Sequence, residues 1–189
     1  MPFSNYQWTT PWSVGALLEQ KWPMGYVPPE ALERGSQVHS IIEAIDTGSL
    51  APTPPPHLQG YVDAWKKFTY ALSPSWDKVE YAFDNPELGF HGIVDRVGTA
   101  GAQGLRTIAD AKTGKVPSPL NGPTRISVQL ALYALGVYPN SATEIVRIAV
   151  ECSKDGRYRV VRFESPDDFI VAQQLLETMH DYTHNHSHR

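Results

Sequence analysis

Two aspartates fifteen positions apart could do chemistry together: Asp95 in His91-Gly92-Ile93-Val94-Asp95-Arg96 and Asp110 in Thr107-Ile108-Ala109-Asp110-Ala111-Lys112. Each sits in or at the end of a short apolar run that reads as a strand. Burying an unpaired carboxylate in such a run costs several kcal/mol or forces it to take up a proton. A divalent cation removes that penalty. Two carboxylates converging from neighbouring strands make a hard-oxygen site suited to Mg²⁺ or Mn²⁺, with positions left open for water and phosphate oxygens. Lys112 projects from the same strand face as Asp110, because side chains alternate with period two. Taken singly, either aspartate reads first as half of an ordinary ion pair, Asp95 with Arg96 or Asp110 with Lys112, and only the rest of the chain tips the balance.

The rest of the chain supplies the context. Arg34-Gly35-Ser36-Gln37-Val38-His39 lies on a predicted helix upstream, and Gln129-Leu130-Ala131-Leu132-Tyr133 on another downstream. In this order the chain resembles the PD-(D/E)XK nucleases of the RecB and phage exonuclease type. The family pattern is Gly-x-x-x-His on a helix, Gly-x-x-Asp on a strand, Asp/Glu-x-Lys on the next strand and Gln-x-x-x-Tyr on a helix. Here it runs through Gly35 and His39, Gly92 and Asp95, Asp110 and Lys112, and Gln129 and Tyr133.

The resemblance implies that His39, Asp95, Asp110 and the carbonyl of Ala111 ligate the metal and that Lys112 orients or activates the attacking water. It also implies that Gln129 and Tyr133 lie beside the site against DNA, and that Glu80 is a further acidic residue of the centre. Each has a plainer alternative: a half-buried helix histidine for His39, a core tyrosine for Tyr133, an exposed edge-strand residue for Glu80. Glu43, one turn after His39, reads as a partner for its ring or as a solvated position. The activity implied is metal-dependent hydrolysis of DNA, by an exonuclease of phage-type recombination or DNA processing with a single-strand annealing or recombinase partner. A catalytically silent DNA-binding relative and a restriction-type endonuclease are the alternatives.

Composition sets bounds. The 189 residues are read as one domain, with 41% hydrophobic and 19% charged residues. No apolar run approaches bilayer length, and the first residues lack a secretory pattern, so a cytoplasmic protein is expected. The single cysteine, Cys152, cannot supply a four-cysteine iron–sulfur cluster. A net charge of −4 does not advertise nucleic-acid binding. A local patch drawn from Arg34, Lys66, Lys67, Lys112, Lys115 and Arg125 is therefore needed. Arg34, just ahead of His39, could place its guanidinium fork on a terminal phosphate or pair with Glu30 or Glu33.

The elements that must position these residues follow from periodicity and punctuation. Helices are predicted at 11–21, from Pro28-Pro29 to Ile45, at 57–72, at 124–137 and from Ser165 to about 182. Strands are predicted at 77–84, 89–98, 105–111, 144–151 and 157–163, with a glycine-supplied hairpin at 99–104. Residues 51–56 are too proline-dense for regular structure, and 113–123 form a loop beside the site. The N-terminal arm is rich in tryptophan, Trp8, Trp12 and Trp22, which reads as core packing or as a base-stacking surface. The histidine-rich tail beyond Thr183 reads as a mobile end. The architecture expected is α/β, a central mixed sheet of about five strands flanked by helices on both faces, with the metal site at one sheet edge.

Overall fold

Ser, Thr and Pro mark where the helices begin. Ser13 Oγ accepts from the Ala16 N–H and caps α1 (Val14–Glu19), while α2 (Pro29–Asp46) and α3 (Pro56–Leu72) each open on proline, whose missing N–H has no partner to lose there. Thr124 and Ser127 exchange side chain-to-backbone hydrogen bonds and start α4 (Arg125–Val137) with a capping box. Asp167 and Asp168 place negative charge in the first turn of α5 (Asp167–His186). This computed structural model describes residues 6–186, with side chains to Asp181. Residues beyond 186 and the side chains of the histidine-rich tail, expected from the sequence to be a mobile end, lie outside that range.

The strands are β1 (Trp12–Ser13), β2 (Ser75–Asn85), β3 (Phe90–Ala100), β4 (Leu105–Lys112), β5 (Val146–Cys152) and β6 (Tyr158–Phe163), joined in one mixed sheet. β2, β3 and β4 run antiparallel in sequence, β4 and β5 pair in parallel across the α4 crossover, and β6 closes the far edge antiparallel to β5. One core forms between the sheet and α1, α4 and α5, around Val94, Ile108, Leu130 and Ala172. A second lies under α2 and α3, around Ile42, Trp65, Ala109, Ala111 and Val150. Helices therefore cover both faces, as expected. Among the described residues no helix is long and apolar enough to cross a membrane.

Two features differ from the sequence reading. The helix placed at 11–21 begins only at Val14, because Trp12 and Ser13 pair in parallel with Phe90 and His91 as a sixth strand. The candidate site also lies inside the sheet, not at an edge. β2 runs along one side of β3 from Phe90 to Thr99, so β1 and β4 share the other side, β1 at its start and β4 from Arg96 onward. Between them β3 has an unpaired stretch that ends at Asp95. Gly92 is needed there, since a Cβ would stand 2.9 Å from Val14 Cγ2 and 3.0 Å from the Phe83 ring.

A buried polar network fixes the helix that carries Gln129. Arg147 NH1 donates to Asp168 Oδ2 at 2.9 Å, and Ser127 Oγ donates to Asp168 Oδ1 at 2.7 Å. The starts of α4 and α5 are thereby tied to β5. Removing one member would leave an uncompensated buried charge.

Candidate active site

Strict alternation along β3 would send Val94 and Val97 to opposite faces, yet both join the core under α1, α4 and α5. Arg96 reaches the opposite side, toward α2 and α3. The alternation therefore slips at Asp95. Facing the slip on β2, between the pairs Val79–Arg96 and Tyr81–Val94, stands Glu80 with φ +48°. A non-glycine residue held in the left-handed region costs of order 1–3 kcal/mol and persists only where its surroundings impose it. The irregularity brings Glu80, Asp95 and Arg96 together beside α2.

His39 approaches from α2. Its Nε2 is 2.9 Å from the Ala111 carbonyl oxygen and its Nδ1 is 3.4 Å from Asp95 Oδ2. With Nε2–H donating to Ala111, the Nδ1 lone pair of a neutral ring would meet a carboxylate, an arrangement that needs a proton or a cation between them. The Ala111 N–H donates to the same Asp95 oxygen at 2.9 Å. One ligand atom each from His39, Glu80 and Asp95 lie within 4.8 Å of one another. Of the four ligands implied by resemblance, the structure gathers His39, Asp95 and the Ala111 carbonyl, and adds Glu80.

Asp110 is turned toward α4. Its side chain is only 1% exposed, and Lys112 Nζ stands 2.5 Å from Oδ2. That ion pair lies outside hydrogen-bond geometry, so the buried Oδ2 has no aligned donor. Gln129 Nε2 makes a long contact of 3.4 Å to Asp110 Oδ1 and donates to the Tyr133 hydroxyl at 2.8 Å. Burial pushes Asp110 up to about 6, with Lys112 opposing and Asp95 adding to the rise. Burial, then the Asp95 charge, pushes Glu80 up to about 7 against the pull of His39 and Arg96. Burial works against the Lys112 ammonium, but Asp110 and Asp95 outweigh it and hold its pKa above the ordinary lysine value. The centre carries more carboxylate than its own cations satisfy.

The remaining sequence candidates are spread around this centre. Tyr133 is 7% exposed and packs edge-on against Phe83, so it props Gln129 from within the core and offers DNA no surface. Arg125 is close enough to Lys112 to repel it, but its guanidinium is paired with Glu19 at 2.9 Å. Arg34 pairs with neither Glu30 nor Glu33: its guanidinium carbon lies 5.7 Å from the Tyr61 ring centre and its buried Nε has no hydrogen-bond partner. A Cβ at Gly35 would stand 3.8 Å from Thr113 Oγ1, so this turn of α2 abuts the end of β4. Lys66 and Lys115 are exposed, whereas Lys67 donates to the Gly156 carbonyl at 2.7 Å, at the β5–β6 turn. Glu43 adds its charge to Glu80, while both His39 nitrogens face Ala111 and Asp95.

Arg96 is a neighbour of the centre whose contacts the sequence did not reveal, where it reads only as a partner for the Asp95 side chain. Fully buried, it donates to Asp46 Oδ2 at 2.6 Å, to Glu80 Oε1 at 3.2 Å and to the Asp95 carbonyl at 2.7 Å. Trp65 Nε1 donates to both Asp46 oxygens, at 3.1 and 3.0 Å. Asp46 ends α2, where the helix dipole disfavours a carboxylate, so Arg96 offsets that cost while locking α2 to β3. The available signal was an arginine directly after Asp95 on an otherwise apolar strand.

Helices on both faces of a mixed sheet, with carboxylates and a lysine beside an internal fork, make a restriction-endonuclease-like α/β core. The sequence model of the PD-(D/E)XK nuclease superfamily matches residues 56–186, and the chain belongs to that superfamily. The match takes in Glu80, Asp95, Asp110 and Lys112 but not α2 with Arg34 and His39. No curated protein matches the chain. The donor set fits the divalent metal that such nucleases use: imidazole and carboxylate atoms within reach of one ion, and a buried carboxylate oxygen on Asp110 without an aligned donor.

Proposed function

We propose that this protein hydrolyses DNA phosphodiester bonds with Mg²⁺ or Mn²⁺ and that it is an exonuclease of the RecB type. The observation that carries the reading is the gathering of His39, Glu80 and Asp95 within 4.8 Å of one another, with His39 2.9 Å from the Ala111 carbonyl and Lys112 2.5 Å from Asp110 on the same strand. His39, Glu80, Asp95, Asp110 and the Ala111 carbonyl would hold the metal, which when bound lowers the pKa of water and neutralises charge on the phosphate. Lys112 keeps its proton, because the neighbouring carboxylates raise its pKa. It therefore acts as a cation beside the phosphate and the attacking water, not as the base that takes the water's proton. Gln129, propped by Tyr133, holds Asp110 in place, and Arg96 holds Glu80.

Exonuclease action is favoured by Arg34, whose buried Nε has no hydrogen-bond partner among the described residues and which stands on α2 five residues, or little more than one helical turn, before His39. Lys115 and Lys66 supply further exposed charge for the DNA backbone, and Arg125 can join them once released from Glu19. The reading carries with it a cytoplasmic role in phage-type recombination or DNA processing, with a single-strand annealing or recombinase protein as partner. Incubation with Mg²⁺ and either linear or supercoiled DNA tests it. Loss of linear DNA alone supports an exonuclease; nicking of the closed circle points to an endonuclease; no cleavage of either overturns the catalytic reading.

A further inference from the structure

The tryptophan-rich arm divides in the folded protein. Trp12 and Trp22 pack against the core, as the plainer sequence reading has it, but Trp8 belongs to neither hydrophobic cluster. It stacks on His91 with ring centres 4.3 Å apart and 11° between planes, and Tyr6 stacks on Trp8 at 5.2 Å and 27°. Tyr6 remains 48% exposed. The ladder is built outside the core yet firmly fastened. Thr9 gives both its N–H and its hydroxyl to Asp84 Oδ2 at 2.6 Å, and the Thr10 hydroxyl donates to Asp84 Oδ1 at 2.6 Å. His91 Nδ1 lies 3.1 Å from the Thr10 carbonyl oxygen, which fixes the ring that ends the ladder.

His91 and Asp95 lie on one face of β3. Phe90, Gly92 and Val94 turn into the core on the other face, so the odd-numbered residues before the slip project together. Four residues of strand separate them by about 13 Å. That distance is about four nucleotides at a stacked rise of roughly 3.4 Å, and fewer in a stretched strand. A strand cut beside Asp95 and running along β3 would therefore bring its next few bases to the aromatic ladder.

We infer that the Tyr6–Trp8–His91 ladder is a stacking platform for an unpaired nucleobase of the DNA strand being cut, so that the protein prefers a single-stranded or frayed end to a closed duplex. The inference rests on the DNA-hydrolase reading above. Base–aromatic stacking is tolerant of sequence, since every base offers a π-face, so the platform confers strand preference without sequence preference. Paired bases in a duplex stack on each other and cannot reach it without fraying.

The test measures binding by fluorescence anisotropy with Ca²⁺ in place of Mg²⁺, using a hairpin duplex with a short single-stranded tail and the same hairpin blunt-ended. Abasic sites are scanned through the tail with the unmutated full chain. An abasic site within about four nucleotides of the bound end should weaken binding about tenfold. Trp8→Ala should produce the same loss on the intact tail and no further loss on that abasic tail, Trp8→Phe should restore binding, and the blunt hairpin should respond to neither. Equal binding by every abasic tail, or equal loss by Trp8→Ala on tailed and blunt DNA, would overturn the platform. A protein that cleaves linear DNA yet shows either result retains its nuclease assignment; one that neither binds nor cleaves DNA loses both.

Discussion

Glu80 and Asp95 face each other across a place where β2 and β3 both depart from regular alternation, and Arg96 reaches back to bond the Glu80 carboxylate and the Asp95 carbonyl. Two carboxylates thus converge from adjacent strands in a position that neither strand would reach with even pleating. Their mutual repulsion makes the centre receptive to a cation.

The stability of the metal-free protein should fall as pH rises. Asp110 and Glu80 have folded pKa values of about 6 and about 7 against ordinary values of 3.8 and 4.5. The folded state therefore binds their protons more tightly than the unfolded state does. Their stabilising contribution is fully present below the ordinary values and is lost as pH rises through about 6 and then 7. Thermal melting in chelator should show a declining midpoint across that window, and added Mg²⁺ or Mn²⁺ should raise it most at the alkaline end. A midpoint that climbs steadily over the same range without metal would contradict the assignment.

Asp110→Ala should lower turnover by about 10² or more while keeping the fold, since its side chain meets only Lys112, two residues along the same strand, and Gln129 at 3.4 Å. The metal-free variant should melt above the parent at neutral pH, because burial opposes the Asp110 charge more than the Lys112 ammonium compensates it. Activity assays and melting curves on one preparation check both. Parental rates with Mg²⁺ would remove Asp110 from the centre.

Lys112→Met should separate binding from chemistry. It keeps the aliphatic stem and deletes the ammonium, so metal affinity measured by calorimetry should survive while turnover falls by about 10² or more. If metal binding disappears with the ammonium, the role beside the phosphate is wrong and Lys112 is structural.

Arg96→Met should unfold the region behind the centre. Asp46 and Glu80 would lose their buried cation, an imbalance that costs about 3–5 kcal/mol. Urea denaturation should show that loss, and adding Asp46→Asn to the same chain should recover part of it. A stability equal to the parent's would show that the Arg96 contacts carry no weight.

Much of this was legible in the chain, for reasons that particular residues make plain. Asp110 and Lys112 stand on one face because two residues of strand dictate it, and the Thr124 capping box sits where the sequence predicts the Gln129 helix to begin. The hairpin at 99–104 follows from its glycines, of which Gly101 and Gly104 adopt φ +76° and +58°. β1 was not legible, because two residues carry no periodicity and pair only once β3 is in place. The left-handed Glu80 was not legible either. Its conformation answers the slip on β3, a relation between strands that neither segment encodes alone. The burial of Tyr133 and the pairing of Arg125 with Glu19 depend likewise on α1, whose register against α4 is set by the whole core.

At the fork in the sheet, the Ala111 amide has no strand carbonyl to meet on the β3 side and takes the Asp95 carboxylate instead, at 2.9 Å. Asp95 is therefore a stitch as well as a ligand. Exchanging it for alanine would open the seam between two central strands along with the chemistry, so the loss of function could not be ascribed to either. Anyone wanting an inert but intact protein, to trap DNA or to capture a companion, should alter Asp110, which is anchored to nothing that holds the sheet together.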